Sequence, residues 1–266
     1  MNILFCGDEN VCQGISLAVL SLCRHTKDRL DIYILTANIA EHKAIPGKYA
    51  DRLTEALRDK GRGDTVKVID ITEIFDTYTP IANMSTRFTP MCMLRLFADM
   101  VDEIPDRILY LDTDVMCRGD FSELYDMPLD GIEIAGAPDR YGKWFFGNIL
   151  RHNYLNSGVL MMNMELIRSS GLFERCRIRC RDEKMFMPDQ TSLNKLAVKR
   201  KISSRYNCQG RIRRRTVFKH FTTFFRFIPI FKAITIKPWD TDRLHNELHI
   251  YEFDDIIDEY QRSVLV

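Results

Sequence analysis

The chain has 266 residues, 45% of them hydrophobic and 28% charged, the balance of a soluble globular enzyme with room for one large domain or two small ones. Its formal net charge of +1 argues against a dedicated nucleic-acid binder, and its apolar runs are too short or too interrupted to span a bilayer. Eight cysteines lacking the density and spacing of a disulfide scaffold fit a reducing compartment, so a cytoplasmic protein is expected.

Asn2–Cys6 reads as a buried first strand, and the absence of a basic stretch before it argues against a signal peptide. Gly7-Asp8-Glu9-Asn10 then leads into a helix whose Val11, Ile15, Leu17, Val19, Leu20 and Leu22 form a broad apolar face. Residues 31–35 form a second strand, 48–59 a helix and 66–69 a third strand. Pro90–Met100 reads as a helix with Thr89 as its N-cap and Pro90 at its first position.

The next segment, residues 107–114, is Arg-Ile-Leu-Tyr-Leu-Asp-Thr-Asp, an apolar run closed by two carboxylates one residue apart. In an extended strand, residues i and i+2 point the same way, so Asp112 and Asp114 converge where the strand leaves the sheet. Val115 and Met116 continue the run, so the two carboxylates interrupt a dry segment. A divalent cation is the simplest compensation for both charges, and it would in turn hold a substrate's phosphate oxygens. An Asp-x-Asp triplet alone is as often a solvated turn.

Further strands are expected at 132–137 and 158–162, and a helix at 189–199 with Pro188 or Asp189 near its start. This alternation predicts an α/β fold with a largely parallel sheet, whose ligands bind beyond the carboxyl ends of the strands, where Asp8 and Asp112 both fall. Cys6, Cys23 and Cys92 lie in apolar surroundings and read as small core residues. Cys176, Cys180 and Cys208 lack a matching histidine pattern and read as packing residues rather than metal ligands. The basic clusters at 175–184 and 211–215 read as solvated faces or a patch for anionic lipid. The second precedes His220, an aromatic-rich run over 221–236, and Lys237-Pro238-Trp239.

In order, the chain presents Phe5-Cys6-Gly7-Asp8-Glu9-Asn10, Arg95, Leu109-Tyr110-Leu111-Asp112-Thr113-Asp114, Leu155-Asn156-Ser157-Gly158-Val159, Pro188-Asp189-Gln190-Thr191-Ser192-Leu193-Asn194, His220-Phe221 and Lys237-Pro238-Trp239. This series resembles glycosyltransferase family 8, the retaining sugar-nucleotide enzymes that include bacterial lipopolysaccharide galactosyl- and glucosyltransferases and, more distantly, glycogenin. Taken singly, Asp8, Asn10 and Asp189 also read as helix caps, Arg95 as a surface charge and His220 as a satisfied histidine among aromatics. It is the order of the whole series that carries the resemblance.

The resemblance implies a GT-A fold, a Rossmann-like mixed but mostly parallel sheet flanked by helices, and a UDP-sugar donor held through Mn²⁺, with Mg²⁺ as the alternative ion. It makes Asp112, Asp114 and His220 the metal ligands. Asp8 and Asn10 become contacts to uracil and ribose, with Cys6 and Gly7 admitting the nucleotide to the backbone and Thr113 counted among the donor contacts. Arg95 and Lys237 become cationic partners of the diphosphate and donor sugar, while Asn156, Asp189 and Gln190 line the sugar as the catalytic set. Residues 1–210 would form the catalytic domain and 211–266 a segment completing the site.

The activity so implied is transfer of galactose or glucose to a glycan acceptor, free or lipid-linked, in lipopolysaccharide, capsule or another surface polysaccharide. Gln190 is a poor nucleophile, which favours front-face substitution over a covalent intermediate. The chain departs from the family pattern after the histidine, where sixteen residues without a glycine separate His220 from Lys237. That insert, 221–236, could dock on an anionic membrane surface, pack over the domain or form an oligomer contact, which leaves peripheral attachment at the inner membrane face as one reading. The competing functional readings are a nucleotidyltransferase, against which the lack of a glycine-rich phosphate loop counts, and a degenerate scaffold protein of the same fold.

Overall fold

The first strand is apolar without alternation because both of its faces are covered: Ile3 and Phe5 enter one core and Leu4 and Cys6 the other. The computed structural model describes residues 1–84, 90–141, 153–226, 232–263 and 265. Its strands are β1 (Asn2–Cys6), β2 (Asp31–Thr36), β3 (Thr65–Asp70), β4 (Arg107–Leu111), β5 (Val115–Cys117), β6 (Ile134–Pro138), β7 (Leu155–Asn163), β8 (Lys199–Lys201), β9 (Phe218–His220), β10 (Phe224–Arg226) and β11 (Lys232–Ile234). Seven form one sheet in the order β3-β2-β1-β4-β7-β6-β8. β3, β2, β1 and β4 run parallel, β7 runs antiparallel to β4 and β6, and β8 is parallel to β6.

The chain builds outward from β1 to β3 and then crosses to the other side of β1 to lay down β4. The order therefore reverses between β1 and β4, and the two connections leave a crevice above the carboxyl ends of those strands. Asp8 follows β1 and Asp112 follows β4, which puts both at that crevice.

Helix α1 (Cys12–Cys23) is buried from Gly14 to Cys23, because it lies between the sheet and the C-terminal helix α2 (Asp254–Gln261). Arg24 ties the two together through Asp255 and Glu259, at 2.6 Å each. Phe221, Ile234, Ile236, Leu244, Phe253, Ile256 and Ile257 fill the same core as α1. The opposite face of the sheet is covered by residues 90–100 and by helices over Met164–Ser170, Leu172–Asp182 and Pro188–Leu196. Among the described residues, no helix is long and apolar enough to cross a membrane.

Three local expectations change. Val115 and Met116 do not continue β4: the Val115 N–H donates to the Asp112 carbonyl at 3.1 Å, the chain turns, and β5 pairs antiparallel with β9. The helix expected to reach 199 ends at Leu196, because the Val198 N–H is taken by the Glu133 carboxylate at 2.5 Å and β8 adds to the sheet edge. Pro90–Met100 is helical but wound as a 3-10 helix, and Thr89, its expected cap, lies outside the described residues. Burial pushes the Cys6 and Cys180 thiols up to about 12, which leaves both inert at neutral pH.

Candidate active site

Three pieces of chain distant in sequence meet where β4 ends. The Leu111↔Val159 register of β4 and β7, with the Asp112 N–H donating to the Gly158 carbonyl at 2.8 Å, sets 156–158 beside the carboxylates. The Val115↔His220 register of β5 and β9, with the Phe221 N–H on the Asp114 carbonyl at 3.0 Å, brings in His220. The insert then folds out as the β10–β11 hairpin and returns with Thr223 and Thr235 hydroxyls 2.7 Å apart. Residues 227–231 of that insert lie outside the described residues. Lys237 ends 2.6 Å from Asp114 Oδ2, so the long separation from His220 does not remove it from the site. Trp239 closes on α1 where Gly14 has no side chain, since a Cβ there would stand 2.7 Å from the indole.

His220 Nε2 lies 3.2 Å from Asp114 Oδ1 and 3.6 Å from Asp112 Oδ2. What these atoms can do depends on where the imidazole proton sits, and a chain of hydrogen bonds decides it. The Gly158 N–H can only donate, so the atom it meets at 3.0 Å is the carbonyl oxygen of Asn156. The Asn207 amide group 2.8 Å from that same oxygen must then be its NH₂. Asn207 Oδ1 is left facing His220 Nδ1 at 3.0 Å, so Nδ1 carries the proton. In the neutral ring Nε2 therefore presents a lone pair to two carboxylates.

Asp114 Oδ1 is buried and has no hydrogen-bond partner. One ligand atom each from Asp112, Asp114 and His220 can lie within 4.8 Å of one another, the only such group among the described residues. Two carboxylate oxygens converging with an imidazole nitrogen are a fitting set for a divalent transition metal. Gly158 belongs to the same device: a Cβ there would stand 2.2 Å from His220 Cε1 and 2.7 Å from Asp112 Oδ2.

The charges around this group are ordered. Burial alone would raise the Asp114 carboxyl, but Lys237 and His220 together outweigh it and hold the group well below the usual carboxylate range. Burial likewise opposes the charged Lys237, and Asp114 with Asp112 more than offsets it, so the lysine's pKa is raised. Arg95, expected beside the diphosphate, lines the cleft but has its nitrogens engaged. They donate to Asp112 Oδ1 at 2.9 Å, to the Ser157 carbonyl at 2.6 Å and to the Cys92 carbonyl at 3.0 Å, with Asp189 Oδ2 at 3.4 Å. The Tyr110 hydroxyl donates to Asp112 Oδ1 at 2.7 Å and its ring lies under the guanidinium.

Asp8, Asn10, Cys6, Gly7, Thr113, Asn156, Asp189 and Gln190 line one cleft of about 460 Å³ with the metal-ligating group, Arg95 and Lys237. Asp8 caps the turn Glu9–Val11, accepts from the Asn10 amide at 3.0 Å and pairs with His42. The Ser157 N–H donates to Gln190 Oε1 at 2.9 Å, and Gln190 Nε2 lies 3.3 Å from Asp139 Oδ2, which also accepts from Asn156 at 2.9 Å.

Sequence reasoning assigned no role to Tyr110, Gly158, Asp139, Asn207 or His42. Tyr110 carried a signal, since it shares a strand face with Asp112, whereas Gly158 meets Asp112 only through the register of β4 and β7, which the sequence does not show. The other three reach the site through contacts far along the chain and carried none.

With this geometry in view, the comparisons are specific. The model of the family described as Glycosyl transferase family 8 matches residues 2–242. Glycosyltransferase GlyE of Streptococcus pneumoniae is 29% identical over 162 residues, 60% of this chain and 35% of that protein. A lipopolysaccharide 1,2-glucosyltransferase of Escherichia coli is 24% identical over 206 residues, 74% of this chain and 58% of its own. This chain thus spans about a third of the length of pneumococcal GlyE and GlyF. Among solved structures, galactosyltransferase LgtC in complex with donor and acceptor sugar analogs superposes with a TM-score of 0.72 at 19% identity, covering 100% of this chain and 97% of that one. The GlyE structure gives a TM-score of 0.64 at 20% identity, covering 98% and 63%. These likenesses show the fold, GT-A, with its mixed α/β sheet flanked by helices.

Proposed function

The chain belongs to glycosyl transferase family 8, and from that premise we propose that it is a retaining transferase moving galactose or glucose from a UDP-sugar to a glycan acceptor of lipopolysaccharide, capsule or another surface polysaccharide. The relatives support the class of reaction, one being a lipopolysaccharide glucosyltransferase and another a galactosyltransferase with donor and acceptor analogs bound. The observation that carries the reading is the convergence of Asp112, Asp114 and His220, with Asp114 Oδ1 left without a hydrogen-bond partner, beside a cleft at the sheet's switch point.

When bound, a divalent cation would supply Lewis-acid charge to the phosphates of the departing UDP, and an imidazole among its ligands favours Mn²⁺ over Mg²⁺. Lys237, held in its charged form, would add a second cation that counts more as charge grows on the leaving diphosphate than in the ground state. In this reading Arg95 orients Asp112 and Asp189, to which it is already committed, and Asn156 orients Asp139. Asp8 and Asn10, with Cys6, Gly7 and Thr113 beside them, would take the uracil and ribose. Asp189 would position the donor sugar. The Gln190 amide, fixed between the Ser157 N–H and Asp139, would face the anomeric carbon without attacking it, so the acceptor hydroxyl enters beside the departing phosphate.

Residues 211–266 complete this site through His220 and Lys237. The hairpin they carry is our candidate for peripheral contact with the cytoplasmic membrane face, tested by wild-type binding to the anionic vesicles used below.

The deciding experiment is calorimetric titration of UDP with and without Mn²⁺, on the wild type and on Asp114→Asn, followed by UDP-release assays across UDP-sugars. We expect wild-type binding that requires the metal, at least about tenfold weaker binding by the variant, and release with UDP-galactose or UDP-glucose. A folded wild type that binds no UDP in Mn²⁺ overturns the reading.

A further inference from the structure

A second groove, of about 1300 Å³, shares Asp139 with the donor cleft. Six arginines line it, Arg140, Arg205, Arg211, Arg213, Arg214 and Arg215, against two carboxylates, Glu123 and Asp139. Both carboxylates are engaged: Glu123 pairs with Arg205 at 2.5 Å, and Asp139 accepts from Asn156 and Gln190. Among the described residues, Arg140, Arg211, Arg213, Arg214 and Arg215 make no ion pair. On a chain whose formal net charge is only +1, that is a large share of positive charge in one concavity, and it repels itself unless an anion enters.

The arginines are not on a loose strand of chain. The Arg213 N–H donates to the Thr216 hydroxyl and the Thr216 N–H to the Arg213 carbonyl, both at 2.9 Å, which closes the loop on itself. The Val217 N–H on the Arg205 carbonyl at 2.8 Å and the Arg118 N–H on the Val217 carbonyl at 2.7 Å then pin it beside β5 and β9. Arg140 lies over Gly210 so closely that a Cβ there would stand 2.6 Å from its Nη1. The backbone that carries these guanidinium groups is thus fixed, and guanidinium groups suit phosphate oxygens, which they engage in pairs.

The groove also adjoins the chemistry. Asp139 lines both concavities and its Oδ2 lies 3.3 Å from Gln190 Nε2. Because the two concavities meet at Asp139, a molecule reaching from one to the other would bring an anionic group among the arginines and a hydroxyl toward the donor cleft.

We infer that the arginine groove is the subsite for a phosphate or diphosphate group on the acceptor, so that the enzyme takes a phosphorylated glycan or glycan carrier in preference to a neutral one. This rests on the glycosyltransferase reading.

The test is calorimetric binding of inorganic pyrophosphate, with saturating UDP and Mn²⁺ present to block the donor site. It compares the wild type with a variant carrying Arg211→Gln, Arg213→Gln, Arg214→Gln and Arg215→Gln. These side chains are exposed, and UDP affinity in Mn²⁺, measured on both proteins, reports independently on folding and on the donor reading. The expected result is saturable wild-type binding that weakens with salt and falls at least about tenfold in the variant, with UDP affinity unchanged. Equal pyrophosphate affinity in both proteins, or none in the wild type, overturns the assignment. In a second arm, phosphatidylglycerol and phosphatidylcholine vesicles replace pyrophosphate. Vesicle binding retained by the variant supports an acceptor subsite. Anionic-vesicle binding that the variant loses and pyrophosphate does not displace assigns the arginines to a membrane surface and overturns the inference.

Discussion

At the residue scale, the proton on His220 is decided by two asparagines. Asn156 and Asn207 pass the direction of a single backbone N–H, that of Gly158, along to the imidazole. Asn207→Leu removes the acceptor at Nδ1 and frees the ring to place its proton on the nitrogen needed by the metal. Calorimetry is expected to show Mn²⁺-dependent UDP affinity falling about 10- to 100-fold, with far-UV circular dichroism unchanged. Asn207→Asp keeps an acceptor at Nδ1 and recovers part of the loss. Equal losses in the two variants would mean that Asn207 matters only for packing. None of this was legible in the sequence, where Asn207 falls in an unremarked loop. Asp112 and Asp114 were legible because two carboxylates interrupt an apolar run, and His220 only through its place in the ordered series of motifs.

At the scale of elements, the site is set by strand registers, so it is sensitive where two strands touch through a glycine. Gly158→Ala drives a methyl into His220 and Asp112, an overpacking that costs about 1–3 kcal/mol. Calorimetric scanning is expected to show a melting temperature lower by roughly 2–12 °C, at about 2–4 °C per kcal/mol, and UDP titration a loss of metal-dependent binding. A variant that melts lower and keeps wild-type UDP affinity would separate Gly158 from the metal group.

The contact between α1 and α2 makes a different prediction. Glu259 is partly desolvated, which raises its pKa, but hydrogen bonds and charge from Lys60 and Arg24 outweigh this and lower it below its ordinary value. A carboxylate with a depressed folded pKa stabilises above its unfolded pKa of about 4.3 and loses that contribution as pH falls through the folded value. Because the group is partly exposed, Glu259→Gln is expected to cost only about 0.5–1 kcal/mol at pH 7. The gap in urea midpoint between wild type and variant then closes below pH 4. A gap that is constant across pH would exclude the ion pairs as its source.

At the scale of the molecule, the sheet is shared between two cores, and the last segment enters one of them through Phe221, Ile234, Ile236, Leu244, Phe253, Ile256, Ile257 and Leu265. Ligands expected in the cleft would touch side chains from both the first strands and this last segment. UDP with Mn²⁺ at about 100 times its dissociation constant is therefore expected to stabilise the protein by about 2.7 kcal/mol, a shift of roughly 5–11 °C in one calorimetric transition. Two transitions of which only the lower moves would show that residues 211–266 unfold apart from the sheet.

By itself the sequence determined the alternation of strands and helices, the two carboxylates at the end of β4 and the family's ordered motifs. Each of these is a matter of period, composition or spacing within a short window. Where the apolar period gave way to a turn, as after Asp112, or to sheet addition, as after Leu196, the window held no trace of the partner strand that decided the outcome. The meeting of His220 and Lys237 with Asp114 across an insert, the tautomer imposed through Asn207, and the gathering of arginines from three segments were decided by tertiary structure alone. Strand register and loop return depend on which distant segment takes a given backbone hydrogen bond, and no local pattern specifies that.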